Sequence, residues 1–381
     1  MIYGKTILFL VFLIFFSASG LQGKEAKIYY SLLNKAEDYI IKEKLDSALI
    51  FYEKAFEKFD YPFYKHLKQA AIVAFYAKDC KILNKYLVKA IKRGMNKSEF
   101  DFFIKATWCN DNMVKIKEDF PTYRRYYISS LDTNLMMNYI EMDVIDQLML
   151  HPLVNKNSNQ YRSLNKKMKV RYLKLLDSMG FPTEKKVGLA KIFYASKNKF
   201  KTLKFDNDTV WKHKLVYHTD LYNQNKNEEL YCVVIEEKGK SRPEALRPGN
   251  SFFWHLAMDS SLDSALINKL EQGFNDLKIY PQTIAKYHRS ITNDLNYDFN
   301  LTHYSQYFQN YKIVHRKYSY LSQEDKVRIN KIRAKYYVRT VEKEEELLRV
   351  FYRLKYKQEL RKITKNTLNK VGYEYYTFMH I

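Results

Sequence analysis

The residues best suited to chemistry lie in the middle of the chain: Asp146 with Gln147, and three histidines, His213, His218 and His255. An aspartate beside a histidine can act as an acid–base pair or contribute to a metal site. Two of the histidines, His213 and His218, are five residues apart. On one helix this spacing corresponds to about 500° of rotation, so the two side chains would not share a face. Two zinc ligands on one helix face are spaced i, i+4. We therefore predict no metal site and no cofactor. The alternative hypothesis is a hydrolase or metal-dependent enzyme in which Asp146 acts with His218 or His255.

Motifs that carry catalysis by themselves are missing from the sequence. It contains no G-x-S-x-G, no Walker loop, no G-x-G-x-x-G and no H-E-x-x-H. Serine, histidine and aspartate occur in any chain of this length, so their presence indicates no catalytic triad. The sequence favours a non-catalytic protein over an enzyme.

Composition predicts a mainly α-helical protein with several domains. The chain has 381 residues, of which only 10 are glycine and 7 are proline. So few chain breakers argue against an all-β or loop-rich scaffold and for long helices. The formal net charge is +23. We interpret this charge as the result of a lysine-rich composition. An anionic surface of the cell envelope is a possible additional partner. We expect no nucleic-acid partner.

The first 20 residues have the pattern of a signal peptide. Lys5 precedes an apolar run at residues 7–16, which is half of the about twenty residues that a membrane-spanning helix needs. Small residues follow, and Ala18 with Gly20 fits a cleavage site near Gly20. The sequence predicts export to the periplasm or the medium, with an uncleaved N-terminal anchor as the alternative.

Three cysteines follow the signal peptide: Cys80, Cys109 and Cys232. An odd number leaves at least one cysteine without a partner inside the chain. Cys80 and Cys109 lie in neighbouring helical segments and could pair. Buried thiols are the favoured interpretation.

A repeat is visible near the N-terminus. Small and apolar residues of one unit recur 35 positions later as small or apolar residues. The first set is Leu32, Ala36, Tyr39, Ala48, Tyr52 and Ala55. The second set is Leu67, Ala71, Ala74, Leu83, Leu87 and Ala90. This spacing resembles the tetratricopeptide repeat, which implies α-hairpins over residues 25–121. We predict Asp46 as the N-cap of the second helix, Pro62 as the end of the first unit, and a degenerate third unit at residues 98–121.

The resemblance implies a concave groove that binds a protein or peptide. Its family pattern assigns ten groove positions: Tyr30, Leu33, Glu37, Ile40, Ile41, Lys65, Lys68, Ile72, Phe75 and Tyr76. The alternative is that these side chains pack against the next domain of the same chain, since two or three repeats rarely stand alone.

Residues 126–300 are predicted to form a second, helical domain. Residues 161–179 have helical periodicity, Gly180 suits a helix C-cap with Thr183 as the next N-cap, and residues 187–195 are predicted as a short helix. Residues 230–236 are rich in β-branched and aromatic residues, which predicts a strand, with a buried helix segment as the alternative.

This region resembles an uncharacterised domain found beside tetratricopeptide repeats in exported bacterial proteins. The resemblance implies no activity. It rests on Asp146 and Gln147, Asn165, residues 180–182 (Gly-Phe-Pro), Val187 and Gly188, Tyr217 and His218, and residues 279–281 (Ile-Tyr-Pro). An arginine expected after the Asp-Gln pair is missing, and residues 150–152 (Leu-His-Pro) stand there instead.

Residues 301–381 are predicted to contain long basic helices. Ser322 followed by Asp325 predicts a helix start, and the basic residues are predicted to form a solvated face; they include Arg328, Lys331, Arg333, Lys335, Arg339, Arg349 and Arg353. The sequence therefore predicts an exported, mainly α protein in which a tetratricopeptide-like array precedes a helical domain with a small β element and long C-terminal helices. Its predicted function is binding of a protein or peptide at the cell envelope.

Overall fold

The computed structural model of the chain describes residues 24–104, 106–132, 134–136, 138–139, 142, 158–189, 191–196, 209–215, 230–235, 264–281, 302–309, 312–320 and 322–356. These residues are mainly α-helical, as the composition predicts. None of the helices in these ranges is long and apolar enough to cross a membrane. The chain divides into two compact units: unit 1 is Met1–Pro62 with Leu262–Val350, and unit 2 is Phe63–Ser261 with Phe351–Ile381.

Eleven α-helices are named in chain order from the described residues: α1 (Lys24–Ile41), α2 (Leu45–Glu57), α3 (Tyr64–Ala77), α4 (Cys80–Ile91), α5 (Lys97–Phe103), α6 (Asn110–Ser129), α7 (Ser158–Met179), α8 (Glu184–Val187), α9 (Ser264–Asn275), α10 (Gln323–Lys335) and α11 (Val341–Tyr356). A 3-10 turn at Thr107–Cys109 precedes α6.

In the part of the chain that the structure describes, five strands form two antiparallel sheets. They are β1 (Lys191–Ser196), β2 (Thr209–Leu215), β3 (Leu230–Ile235), β4 (Thr302–Gln309) and β5 (Lys312–Tyr320). In unit 2, β3 lies between β1 and β2, with Ile235 opposite both Lys191 and Thr209. In unit 1, β4 and β5 form a hairpin with Thr302 opposite Tyr320.

The first hairpin, α1 with α2, is held by small residues that let the two helices approach closely. Ala36, Ala48 and Ala55 are each 0% exposed, and the aromatic side chain of Tyr52 is also fully buried. The prediction of Asp46 as N-cap is wrong: α2 begins at Leu45, and Asp46 lies inside its first turn. An aspartate in the first turn still favours the helix through the helix dipole.

In unit 1, later helices cover the α1 face of this hairpin. The ring of Phe274 on α9 stacks on Tyr30 at a centroid distance of 5.9 Å and meets Tyr336 edge-on at 5.4 Å. The Nδ2 of Asn34 donates to the carbonyl oxygen of Tyr337 at 2.9 Å. Residues about 300 positions apart in sequence therefore share one core.

Ion pairs join α1 to Arg339, which lies between α10 and α11, and to Lys343 in the first turn of α11. Arg339 pairs with Glu37, and the Nζ of Lys343 lies 2.6 Å from Asp38 Oδ1. Arg333, whose side chain is 1% exposed, pairs with Glu344 at 2.7 Å. The prediction of a solvated basic face is therefore wrong for Arg333 and Arg339, because tertiary contacts turn both side chains toward carboxylates.

In unit 2 the second hairpin, α3 with α4, forms the core. Apart from Lys65, every residue of α3 from Tyr64 to Ala74 is buried, whereas α4 buries one face that includes Leu83, Leu87 and Ala90. Asp79 caps α4 by accepting from the Ile82 amide at 2.9 Å. A helix buried this completely must be covered on several sides.

A buried carboxylate connects α5 to α3. Glu99 Oε1 pairs with Lys68 Nζ at 2.9 Å, and Glu99 Oε2 accepts from the Tyr64 hydroxyl at 2.7 Å. Glu99 and Asn96 also form a capping box at the start of α5. One acidic side chain thus neutralises a buried ammonium and satisfies a helix N-terminus.

Two turns depart from the predicted elements. Gly188, at φ +70° and ψ −158°, ends α8 after four residues, and β1 begins at Lys191. The prediction of a helix over residues 187–195 is therefore wrong. Pro121 does not end the third predicted unit, because α6 continues through it to Ser129. The predicted C-cap at Gly180 is confirmed: its φ is +76° and its amide donates to the Leu176 carbonyl at 3.0 Å.

The hydroxyl of Tyr127 fixes the turn at Gly188, and because it is buried we predict that the folded chain loses stability at alkaline pH. It accepts from the Leu189 amide at 2.8 Å, and burial raises the pKa of Tyr127 to about 12 from 10.0. Between pH 10 and 12 the unfolded chain loses this proton and the folded chain keeps it, so the free energy of unfolding falls as pH rises. In urea unfolding at pH 9, 10 and 11, we expect the free energy of unfolding of Tyr127→Phe to fall less with rising pH than that of the unmodified chain. The exposed Tyr126→Phe is the control, and equal slopes for both variants would contradict the prediction.

Candidate functional site

A cluster of half-exposed aromatic side chains in unit 2 is the surface best suited to bind a ligand. We call Phe75, Tyr76, Phe102 and Trp108 the aromatic patch. The ring of Phe75 is its centre: centroid distances are 5.4 Å to Tyr76, 5.1 Å to Phe102 and 6.0 Å to Trp108. Trp108 is 36% exposed, and the other three are half-buried. Rings of this kind supply large contact area at low entropic cost.

Three separate elements bring these rings together. Phe75 and Tyr76 lie in the last turn of α3, which ends at Lys78 in the left-handed conformation, with the Asp79 amide bonded to the Ala74 carbonyl at 3.1 Å. Phe102 lies at the end of α5, and Trp108 lies in the 3-10 turn. Buried Phe103, 1% exposed, packs beneath with its ring 6.1 Å from Phe75.

A disulfide ties the 3-10 turn to the start of α4, the helix that follows α3. Cys80 opens α4 just after the α3 turn, Cys109 ends the 3-10 turn after Trp108, and the two are bonded with a Cα–Cα distance of 5.5 Å. The prediction that both are buried thiols is therefore wrong, and the alternative pairing is the one observed. The side chain of Cys232 lies outside the described part of the chain.

The groove positions predicted for the first hairpin are covered by the same chain. Tyr30 is 5% exposed and stacked on Phe274, and Leu33 and Ile40 are 3% and 0% exposed. Glu37 is paired with Arg339. Ile41 and Glu37 line a cleft of about 130 Å³ with residues 338–340 and Lys343. The carboxylates and cations of this cleft pair with one another, so the cleft has a structural role.

The groove positions predicted for the second hairpin divide between core and surface. Lys68 and Ile72 are 6% and 0% exposed, and Lys68 pairs with Glu99 inside unit 2. Lys65 is half-buried. Only Phe75 and Tyr76 reach the aromatic patch. Of the predicted groove residues, these two are the ones that the structure brings together at a surface.

The predicted catalytic candidates cannot be placed side by side. Asp146, Gln147, His218 and His255 lie outside the described residues, and for His213 the structure gives only its backbone position on β2, opposite Cys232. Among the described residues, no group of three or more His, Cys, Asp and Glu side chains could hold a metal ion.

Sequence reasoning missed half of the patch. Phe102 and Trp108 lie in the predicted third repeat unit, whose degenerate motif gave no groove positions. The signal available was composition: residues 100–103 read Phe-Asp-Phe-Phe, and Trp108 stands next to a cysteine.

Comparison with known proteins finds no matching family model and no match among the curated proteins or the solved structures.

Proposed function

We propose that this chain is an exported, non-catalytic module that binds a protein or peptide at the cell envelope through the aromatic patch. The observation that carries the proposal is the clustering of four aromatic rings from three elements, with Trp108 36% exposed. Protein interfaces are enriched in aromatic residues, and Trp and Tyr dominate their binding energy.

The tetratricopeptide-like character of residues 25–121 is part of this proposal. It is supported by the two helical hairpins and by fully buried small residues at the positions that the repeat requires, including Ala36, Ala48, Ala71 and Ala90. The ligand surface differs from the family groove in the first hairpin, where Tyr30 is covered by Phe274. We also propose that the β-strands between residues 191 and 235 are the small β element of the middle domain.

Export is the second part of the proposal. The signal-peptide pattern of residues 1–20 supports it, and so does the Cys80–Cys109 disulfide, because disulfides persist in oxidising compartments and are rare in the cytosol. The anionic envelope surface remains a secondary partner class for a chain of net charge +23.

The binding proposal predicts a strong effect of Trp108→Ala. Peptides would be selected from a displayed library against the chain and their affinities measured by calorimetry at raised salt, which suppresses contacts due only to net charge. Loss of a central aromatic anchor costs about 2 kcal/mol or more, so we expect about 30-fold weaker binding. Phe75→Ala is expected to act similarly.

The matched control is Tyr126→Ala, which removes an aromatic side chain that is 59% exposed elsewhere in unit 2. Its affinity is expected to equal that of the unmodified chain. If the selected peptides bind Trp108→Ala and the unmodified chain equally well, the aromatic patch is not the binding surface and the proposal fails.

A further inference from the structure

The two sulfurs of the Cys80–Cys109 disulfide have different surroundings. Cys109 is 4% exposed, whereas Cys80 is only half-buried at the start of α4. An external thiol must approach a disulfide sulfur directly to exchange with it. Access therefore selects the sulfur of Cys80 as the point of attack.

Two asparagine side chains face the sulfur of Cys80. The Nδ2 of Asn112 lies 3.1 Å from Cys80 Sγ, and the Nδ2 of Asn84 lies 3.6 Å from it. A disulfide sulfur is a weak acceptor, but a thiolate at this place would accept both N–H groups strongly. It would also lie at a helix N-terminus, which favours negative charge. The neighbouring Asp79 carboxylate, which opposes that charge, is engaged with the Ile82 amide.

The sulfur of Cys109 faces an acceptor as well as a donor: the Nδ2 of Asn112, 3.1 Å from Cys80 Sγ, is 4.0 Å from Cys109 Sγ. The Oδ1 of Asn84 lies 3.7 Å from Cys109 Sγ. A disulfide sulfur has no proton to donate to this oxygen, whereas a thiol at Cys109 does. The same asparagine thus offers an N–H to one sulfur and a carbonyl oxygen to the other, an arrangement that matches a dithiol as well as a disulfide.

We propose that Cys80–Cys109 is a thiol–disulfide exchange site for low-molecular-weight thiols, and that its redox state sets the position of Trp108. In the first step, an external thiolate attacks Cys80 Sγ, the bond between the two cysteines breaks, and Cys109 leaves as a thiolate that takes a proton from water. In the second step, another thiolate attacks the external sulfur of the mixed disulfide and releases Cys80 as a thiolate. Two thiols are oxidised to one disulfide, and the protein disulfide is reduced to two thiols.

The link to Trp108 follows from its place in the chain. Trp108 precedes Cys109 in a turn of three residues, and the disulfide attaches this turn to the end of the α3–α4 connection, next to Phe75 and Tyr76. Reduction removes that attachment. Control of ligand binding by this change rests on the proposed function, whereas the exchange reaction and the movement of Trp108 do not.

The exchange is tested on the full chain carrying Cys232→Ser, incubated in glutathione buffers of graded redox ratio without denaturant. Thiols are trapped by alkylation and counted by mass spectrometry. We expect reversible opening and a glutathione adduct on Cys80. A disulfide that opens only after unfolding in urea would overturn the proposal, since it would then be structural.

The role of the amides is tested by Asn112→Ala, at an exposed position where folding is not at risk. Loss of one hydrogen bond to the Cys80 thiolate is expected to shift the equilibrium constant toward the disulfide about fivefold. The exposed Asn110→Ala is the matched control and is expected to leave the equilibrium unchanged. An Asn112→Ala equilibrium equal to that of the control would overturn the assignment of these amides to an exchange site.

Movement of Trp108 is read by fluorescence in a chain that also carries Trp211→Phe and Trp254→Phe, which leaves Trp108 as its one tryptophan. Reduction is expected to shift its emission and increase quenching by iodide, with no response in Cys80→Ser/Cys109→Ser. Identical spectra in both redox states would overturn the link to Trp108. This readout needs no ligand, so its failure is distinguishable from failure of the binding proposal.

Discussion

Replacing Gly188 by alanine is expected to destabilise unit 2 by about 3–5 kcal/mol, since strain at a glycine-only backbone conformation adds to overpacking. Gly188 has φ +70°, and an added Cβ would meet the Tyr127 hydroxyl and lie 2.9 Å from Leu131 Cδ2. The Tyr127 hydroxyl cannot move away without losing the Leu189 amide, which it binds at 2.8 Å. Urea unfolding followed by circular dichroism measures the loss.

Gly180→Ala is the matched control for this substitution. Its φ is also positive, +76°, but the nearest atom to an added Cβ is the flexible Lys186 Nζ at 3.7 Å. Only the left-handed conformation is then penalised, at about 1–2 kcal/mol. Equal losses for the two variants would show that the crowding at Tyr127 does not matter.

Replacing Glu99 by leucine is the second large effect that we expect, a loss of about 3–5 kcal/mol, because removal of one partner of a buried ion pair leaves the other charge in the interior. Lys68, 6% exposed, would lose its carboxylate, and Asn96 would lose the acceptor of its backbone amide at 3.1 Å. The Tyr64 hydroxyl would lose its 2.7 Å bond as well.

The double variant Lys68→Met/Glu99→Leu tests the reason for that loss. With the ammonium gone, we expect recovery of about 1–2 kcal/mol, since an apolar pair of similar size can replace a buried ion pair. Asp276→Ala is the comparison, because its pair with Lys278 has side chains that are 24% and 47% exposed and is worth about 1 kcal/mol at most. A Glu99→Leu chain as stable as Asp276→Ala would contradict the prediction.

Local patterns predicted helices well because the signals lie within a few residues. The helix predicted at residues 161–179 is observed as α7, Gly180 ends it, and Ser322 caps α10 through the Asp325 amide at 3.1 Å. Each of these features depends on backbone groups within one turn of the residue concerned.

The candidate site was predicted only in part. Phe75 and Tyr76 were identified from their position in a predicted repeat, whereas Phe102 and Trp108 join them through the packing of α5 and the 3-10 turn. Periodicity reports which face of one helix is apolar, but it does not report which other element comes to lie beside that face.

The sequence by itself determined the mainly helical class, the positions of several helix ends and the signal-peptide pattern, because these depend on composition and on neighbours in the chain. Only the tertiary structure decided that Cys80 bonds to Cys109, that Phe274 covers Tyr30, and that Arg333 and Arg339 turn inward to carboxylates. These contacts join residues between 11 and about 300 positions apart. Their formation depends on the distance between elements after packing, which no local pattern encodes.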